Sequence, residues 1–264
     1  MIFMLNTLLK MEFKRSYKSF LIWSSIMVAT LIIFTVIYPL YADIFEILPP
    51  QLEVIMDAWG GKPDNILEYF SIETASMYFM VGPIYASMLG FTLVSTFERE
   101  KSAEVLYTTR VDKKYFYISK IIVLFVLLTL FSLINFLASY ITMLFFDTNT
   151  EVVILALYFL MMNITFIVIG IMSFTIALLT KPGTNPLISM TLPIIFIIIS
   201  YISKLSDNTI ITNLKYLTPL AFSDATTIIM EKSGVEWLNL TIFTAISVGL
   251  LIFNYYKFQK RVSI

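Results

Sequence analysis

Apolar positions fall into six unbroken runs, at 19–42, 75–97, 120–146, 152–180, 187–203 and 239–256, separated by stretches where charged residues, Pro and Asn gather. About 20 apolar residues of helix cross a bilayer core about 30 Å thick, so each run predicts one span. The runs at 19–42, 120–146, 152–180 and 187–203 hold no ionisable residue except Lys120 at an edge. That is expected when a charge at a helix centre costs roughly 2.5 to 3.5 kcal/mol. The pattern therefore predicts an all-α polytopic membrane protein of six transmembrane helices, forming a single membrane domain over residues 1–264.

The segments between the runs carry structure of their own. Over residues 2–18, Ile2, Leu5, Leu9 and Phe13 share one helical side, extended by Leu8 and Met11, while Lys10, Lys14 and Lys18 follow at i, i+4 spacing on another. This predicts an amphipathic helix lying on the membrane surface, in contact with lipid; the alternative is a simple extension of the first span. Between the first two spans, Pro49-Pro50 and Gly60-Gly61 bracket a short helical run, matching the preference for Pro at helix starts and Gly after their ends. Before the last span, Thr218 as N-cap, Pro219 in the first turn and Gly234 past the end predict a helix of about four turns. Its apolar residues Leu220, Ala221, Ile228, Ile229 and Met230 predict that it dips back onto the spans. Asp224 on this element reads as an outward-facing solvated acid or as part of an exit gate.

Charge gives the chain a direction. Six spans put both termini on one side. With the termini go the loop at 98–120, the loop at 181–186 and the tail, and this side collects 14 of the 18 Lys and Arg against five acids; the other side has four Lys and 13 acids. Basic residues are retained in the cytoplasm, so the termini and the loop at 98–120 are expected inside, with the chain a multi-pass membrane protein. Only 14 % of residues are charged, and His and Cys are absent. Thiol nucleophiles, zinc sites and His-based acid–base catalysis are thereby excluded, and the chain is expected to be no enzyme. Gly61-Lys62 lacks the preceding glycine and following Ser or Thr of a phosphate loop, so it reads as a turn.

The loop at 98–117 is the anomaly. Residues 97–120 hold ten of the 36 charged side chains in about a tenth of the length. Glu98, Arg99, Glu100, Lys101 and Glu104 alternate in sign, and Val105, Leu106 and Tyr107 set apolar groups beside them. Glu100 and Glu104 form a like-charged i, i+4 pair that gives an isolated helix nothing; a partner with basic groups would relieve it. Charge around a small apolar patch fits a protein docking site. Fixing topology would need the basic residues alone.

At these residues the chain resembles the ABC-2 class of bacterial ABC-transporter permeases. In their first cytoplasmic loop, the coupling helix is a Glu-Arg-Glu-Lys run followed by Gly-Thr-x-Glu-Leu-Leu, then Pro-Val-Ser-Arg and a Lys opening the next span. Glu98, Arg99, Glu100, Lys101, Glu104, Leu106, Val111, Lys113 and Lys120 match in order; Ser102 replaces the usual glycine and Arg110 the usual proline. The stretches "LPPQLEVIMDAWGGKPDNILEYF" and "YLTPLAFSDATTIIMEKSG" are also similar to short six-span members. The resemblance implies a non-catalytic permease subunit. Two copies, or one copy and a sister permease, would bind cytoplasmic ABC ATPase subunits carrying ATP and Mg, with Glu98, Arg99, Glu100, Lys101, Glu104 and Leu106 coupling the two. It further implies export of an amphipathic or hydrophobic cargo such as a peptide, lipid-like molecule or drug, with membrane-active antimicrobial peptides favoured. No nucleic-acid partner is expected.

Within the spans, Asn135 and Asn163 are candidates for interhelical hydrogen bonds or for lining the path, and Pro83 and Pro193 for kinks. The absence of a deep ionisable residue disfavours a proton- or sodium-driven carrier. A membrane scaffold or sensor that recruits a cytoplasmic partner through the same loop is the rival reading.

Overall fold

The computed structural model describes residues 2–41, 63, 65–99, 112–147, 151–205, 208–230 and 234–261, and every regular element among them is helical. Six helices are long and apolar enough to cross a membrane. We label the principal helices α1 (Ile2–Val36), α2 (Ala75–Arg99), α3 (Lys113–Leu144), α4 (Val152–Leu179), α5 (Thr191–Lys204) and α6 (Trp237–Lys260). All six spans expected from the hydropathy pattern are present.

α2 is the most buried span, and its largest interface is with α4. α1 lies along α3, and α6 packs on α4 and α3. α5 reaches α2 through a 3₁₀ turn, Pro186–Met190, capped by Asn185, whose Oδ1 accepts from the Leu187 N–H at 3.0 Å. The interior is filled by aromatic rings. Phe131 sits 4.7 Å from Tyr85 and 5.9 Å from Phe166, and Tyr78 stacks on it at 6.0 Å.

Small residues let α2 and α4 approach. A Cβ on Gly90 would stand 2.1 Å from the Gly170 carbonyl oxygen, and one on Gly82 would stand 2.3 Å from Cζ of Phe166. Lipid tails are as apolar as Leu, so close backbone packing rather than hydrophobic exclusion drives such contacts. Between these glycines Ser87 and Ser173 share a hydrogen bond of 2.7 Å, and the Ser87 hydroxyl also reaches the Ser189 carbonyl at 2.5 Å, tying in the turn before α5.

Several element boundaries correct the expectations from sequence. No break separates a surface helix at 2–18 from the first span; α1 is one helix of 35 residues, about 52 Å long. Nothing in 2–36 is Gly or Pro, and Leu8, Glu12 and Phe20 are buried against the bundle, which holds the amino-terminal half on its neighbours. The helical stretch leading into α2 begins at Ile66, nine residues before the apolar run. Asn65 caps it by accepting from the Leu67 and Glu68 N–H groups at 3.0 and 2.9 Å, and a π turn at Phe70–Thr74 joins it to α2. Glu68 and Glu73 end the hydropathy signal there without ending the helix. Pro193 lies in the first turn of α5, where a missing N–H costs no helical bond, so it starts the helix rather than kinking it.

The four-turn helix expected from Thr218 is absent as such. A 3₁₀ turn, Ala221–Ser223, is followed by extended backbone at Asp224 and a single π turn, Thr226–Met230. Asp224 breaks the helix by turning its Oδ1 to the Thr226 N–H at 3.0 Å. The expected packing is present: Leu220, Ala221, Ile228 and Ile229 are buried, and the Thr165 hydroxyl of α4 bonds Ser223 Oγ at 2.9 Å. Gly234 has the left-handed φ of +91° that suits a stop. The bracketed run between Pro49 and Gly61 lies outside the described residues.

Candidate functional site

The candidate site is the end of the bundle where α2 stops and α3 begins, because these are the two stems of the charge-dense loop. Glu98, in the last turn of α2, is held by a two-pronged ion pair with Arg261. The guanidinium Nη2 donates to Oε2 at 2.8 Å and Nε donates to Oε1. The same guanidinium donates to the Leu178 carbonyl at 2.5 Å and the Thr180 carbonyl at 3.2 Å, closing the end of α4. A planar fork suits this role, since one cation satisfies a carboxylate and the terminal carbonyls of a helix together. The side chains of the pair are largely shielded, 9 % exposed at Arg261 and 4 % at Glu98.

The second stem is tied to the same point. Lys113, the first residue of α3, donates from Nζ to the Gln259 and Arg261 carbonyls at 3.3 and 3.1 Å. Asp112 caps α3, its Oδ1 accepting from the Lys114 N–H at 3.0 Å. That N–H, together with the Lys114 ammonium, holds the Asp112 carboxyl below the ordinary carboxylate range. The end of α6 thus bridges both stems and α4. Glu100, Lys101, Glu104 and Leu106 lie outside the described residues, as does the Arg99 side chain, and only Glu98 of that set is located. Its carboxylate faces inward.

Two turns further along α3 a second ion pair is fully enclosed. Lys120 Nζ donates to Glu12 Oε1 of α1 at 2.7 Å and to the Leu93 carbonyl of α2 at 2.6 Å, with side chains 1 % and 2 % exposed. Burying either ion alone is expensive, so each holds the other and joins three helices. Lys120 stands at a span edge and Glu12 among the lysines of residues 2–18; their partnership needs the packing of α1 on α3. Arg261 was counted only among orientation charges. The signal that could have found the α2–α4 contact was the spacing of small residues, Gly82, Ala86 and Gly90.

The remaining candidates fall elsewhere. Lys10, Lys14 and Lys18 are exposed along the outer face of α1. Asn135 is buried and bonds its own helix, donating to the Phe131 carbonyl at 2.7 Å. Asn163 Oδ1 has no partner among the described residues. The interhelical polar bonds expected of these asparagines come from smaller groups: the Ser87–Ser173 pair, Ser132 donating to the Phe159 carbonyl at 2.9 Å, and Thr165. At the opposite end of the bundle Asp224 pairs with Lys204 at 2.6 Å, so it is neither freely solvated nor unpaired. Among the described residues no three Asp, Glu, His or Cys gather to hold a metal ion.

The fold and these contacts define an all-α, multi-pass membrane protein with six candidate spans. No protein-family model matches the chain, and no curated protein matches it.

Proposed function

We propose that the chain is the permease subunit of an ATP-driven exporter of the ABC-2 class, with both termini and the loop at 98–117 in the cytoplasm of a bacterial cell. The observation that carries this reading is the convergence of both loop stems on Arg261 and the end of α6. A loop that takes mechanical work from a separate ATPase needs stems locked to the bundle, or its displacement would be absorbed locally. Glu98 through Arg261, and Lys113 through the Gln259 and Arg261 carbonyls, supply that stiffness. Glu98 then anchors the loop, and Glu100, Lys101, Glu104 and Leu106 are the residues left to meet the ATPase.

The bundle interior supports a path between two permeases rather than through one. Tyr78, Tyr85, Phe131 and Phe166 close the centre with rings 4.7 to 6.0 Å apart. The partner is a second copy or a sister permease, and the path walls, rich in Ile, Leu, Phe and Tyr, suit an amphipathic or hydrophobic cargo. Membrane-active peptides are the favoured class, as the resemblance to ABC-2 permeases implies; repackable apolar surfaces accept varied apolar shapes.

Reconstitution with the ATPase expressed beside the chain tests the proposal. Glu100→Lys together with Glu104→Lys is expected to keep the protein folded and to uncouple ATP hydrolysis from export. Intact cargo-stimulated hydrolysis and export in that variant would refute the coupling role.

A further inference from the structure

An apolar groove of about 510 Å³ opens between the amino-terminal half of α1 and α3. Its floor is Leu9, Phe13, Tyr17, Ile122, Val123 and Val126, and Lys10 and Lys14 stand on its rim. Such a volume lies within the roughly 300–1,000 Å³ of ligand clefts. Phe13, Ile122 and Val126 remain exposed along it, so the groove is open sideways, toward where lipid lies around a membrane bundle.

We infer that this groove holds one acyl chain of an anionic phospholipid, with the phosphate between Lys10 and Lys14. Depth and charge both select this occupant. α1 and α3 run parallel in constant register, Glu12 facing Lys120 and Tyr38 facing Phe146. Ile122 lies nine residues in from the start of α3, about 13 Å along the axis. The slot therefore begins below the end of the bundle, where acyl chains are, and lysine stems are long enough to return their ammonium groups to headgroup level. Lys10 and Lys14 are one turn apart on the same face. The nearest acid in sequence, Glu12, is buried and bound to Lys120. Neither rim lysine has an acidic partner among the described residues. An apolar slot beneath two ammonium groups with no acidic partner among the described residues matches a lipid with an apolar chain and a net negative head, whereas a zwitterionic head brings its own cation to the same place. The site depends on the membrane fold alone and stands independently of the permease reading.

The test is native mass spectrometry of the full chain in detergent, titrated separately with phosphatidylglycerol and phosphatidylcholine. The wild type is expected to retain phosphatidylglycerol preferentially. Replacing Lys10→Gln and Lys14→Gln should weaken it about fivefold each and about thirtyfold together, leaving phosphatidylcholine unchanged. Val126→Trp, which fills the slot, should weaken both lipids, and Lys18→Gln, outside the lining, should change neither. Equal retention of the two lipids by the wild type, undiminished phosphatidylglycerol binding in the double variant, or an equal loss in Lys18→Gln would overturn the assignment.

Discussion

The close approach of α2 and α4 at Gly90 gives a quantitative expectation. In Gly90→Ala the new methyl would lie 2.1 Å from the Gly170 carbonyl oxygen, whereas ordinary van der Waals contact begins at 3.4 Å. The two helices must separate locally by about 1.3 Å, since the obstacle is backbone and has no rotamer to change. Ser87 and Ser173 sit three residues away on each helix, and their 2.7 Å bond would open to about 4 Å, beyond hydrogen-bond range. Overpacking costs typically 1–3 kcal/mol, the lost bond adds about 0.6, and Ala in place of Gly returns up to about 1 through helix propensity. The net destabilisation is therefore about 1–3 kcal/mol. Gly82→Ala should cost less, because its obstacle is the tip of the Phe166 ring, which can move. Gly249→Ala on α6 meets nothing within 4 Å and should be neutral or stabilising. Unfolding of the three variants in mixed micelles measures the order directly. A Gly90→Ala protein as stable as Gly249→Ala would refute the close approach of α2 and α4.

Other consequences follow from the charged contacts. Lys120→Met strands the Glu12 carboxylate in the bundle and should destabilise by about 3–5 kcal/mol, while adding Glu12→Gln should recover much of the loss; a double-mutant cycle by denaturant titration reads the coupling. Arg261→Lys keeps the charge but not the fork, so it should lose stability relative to Lys260→Gln, whose side chain is in no described ion pair, and should lower ATP-coupled export in the reconstituted system. Because the chain has no cysteine, Ser102→Cys gives a clean topology probe. A membrane-impermeant maleimide should label it only after the cells are permeabilised, and labelling of intact cells would reverse the orientation on which the coupling proposal depends.

The six spans were legible in the sequence because a bilayer imposes a length and a composition on every crossing helix, and neither depends on the neighbours. The element before α6 was legible in its burial but not in its shape: Leu220 and Ile228 announced packing, yet Asp224 captured the Thr226 N–H and broke the helix. The amino-terminal helix was legible as a helix but not in its continuity with the first span: a surface helix and an extension of the span share the same stripe of lysines beside apolar residues, and only Glu12 finding Lys120 fixes one side of it on α3.

What the sequence determined by itself is thus the number of crossings, the charge imbalance between the two faces and the loop where charge concentrates, all of which are sums along the chain. Tertiary structure alone decided which charges are buried together, how closely α2 meets α4 at Gly90 and Gly170, and that Arg261 closes the stems 163 residues after Glu98. These are relations between distant segments, set by which helix faces pack, and a linear pattern carries no term for them.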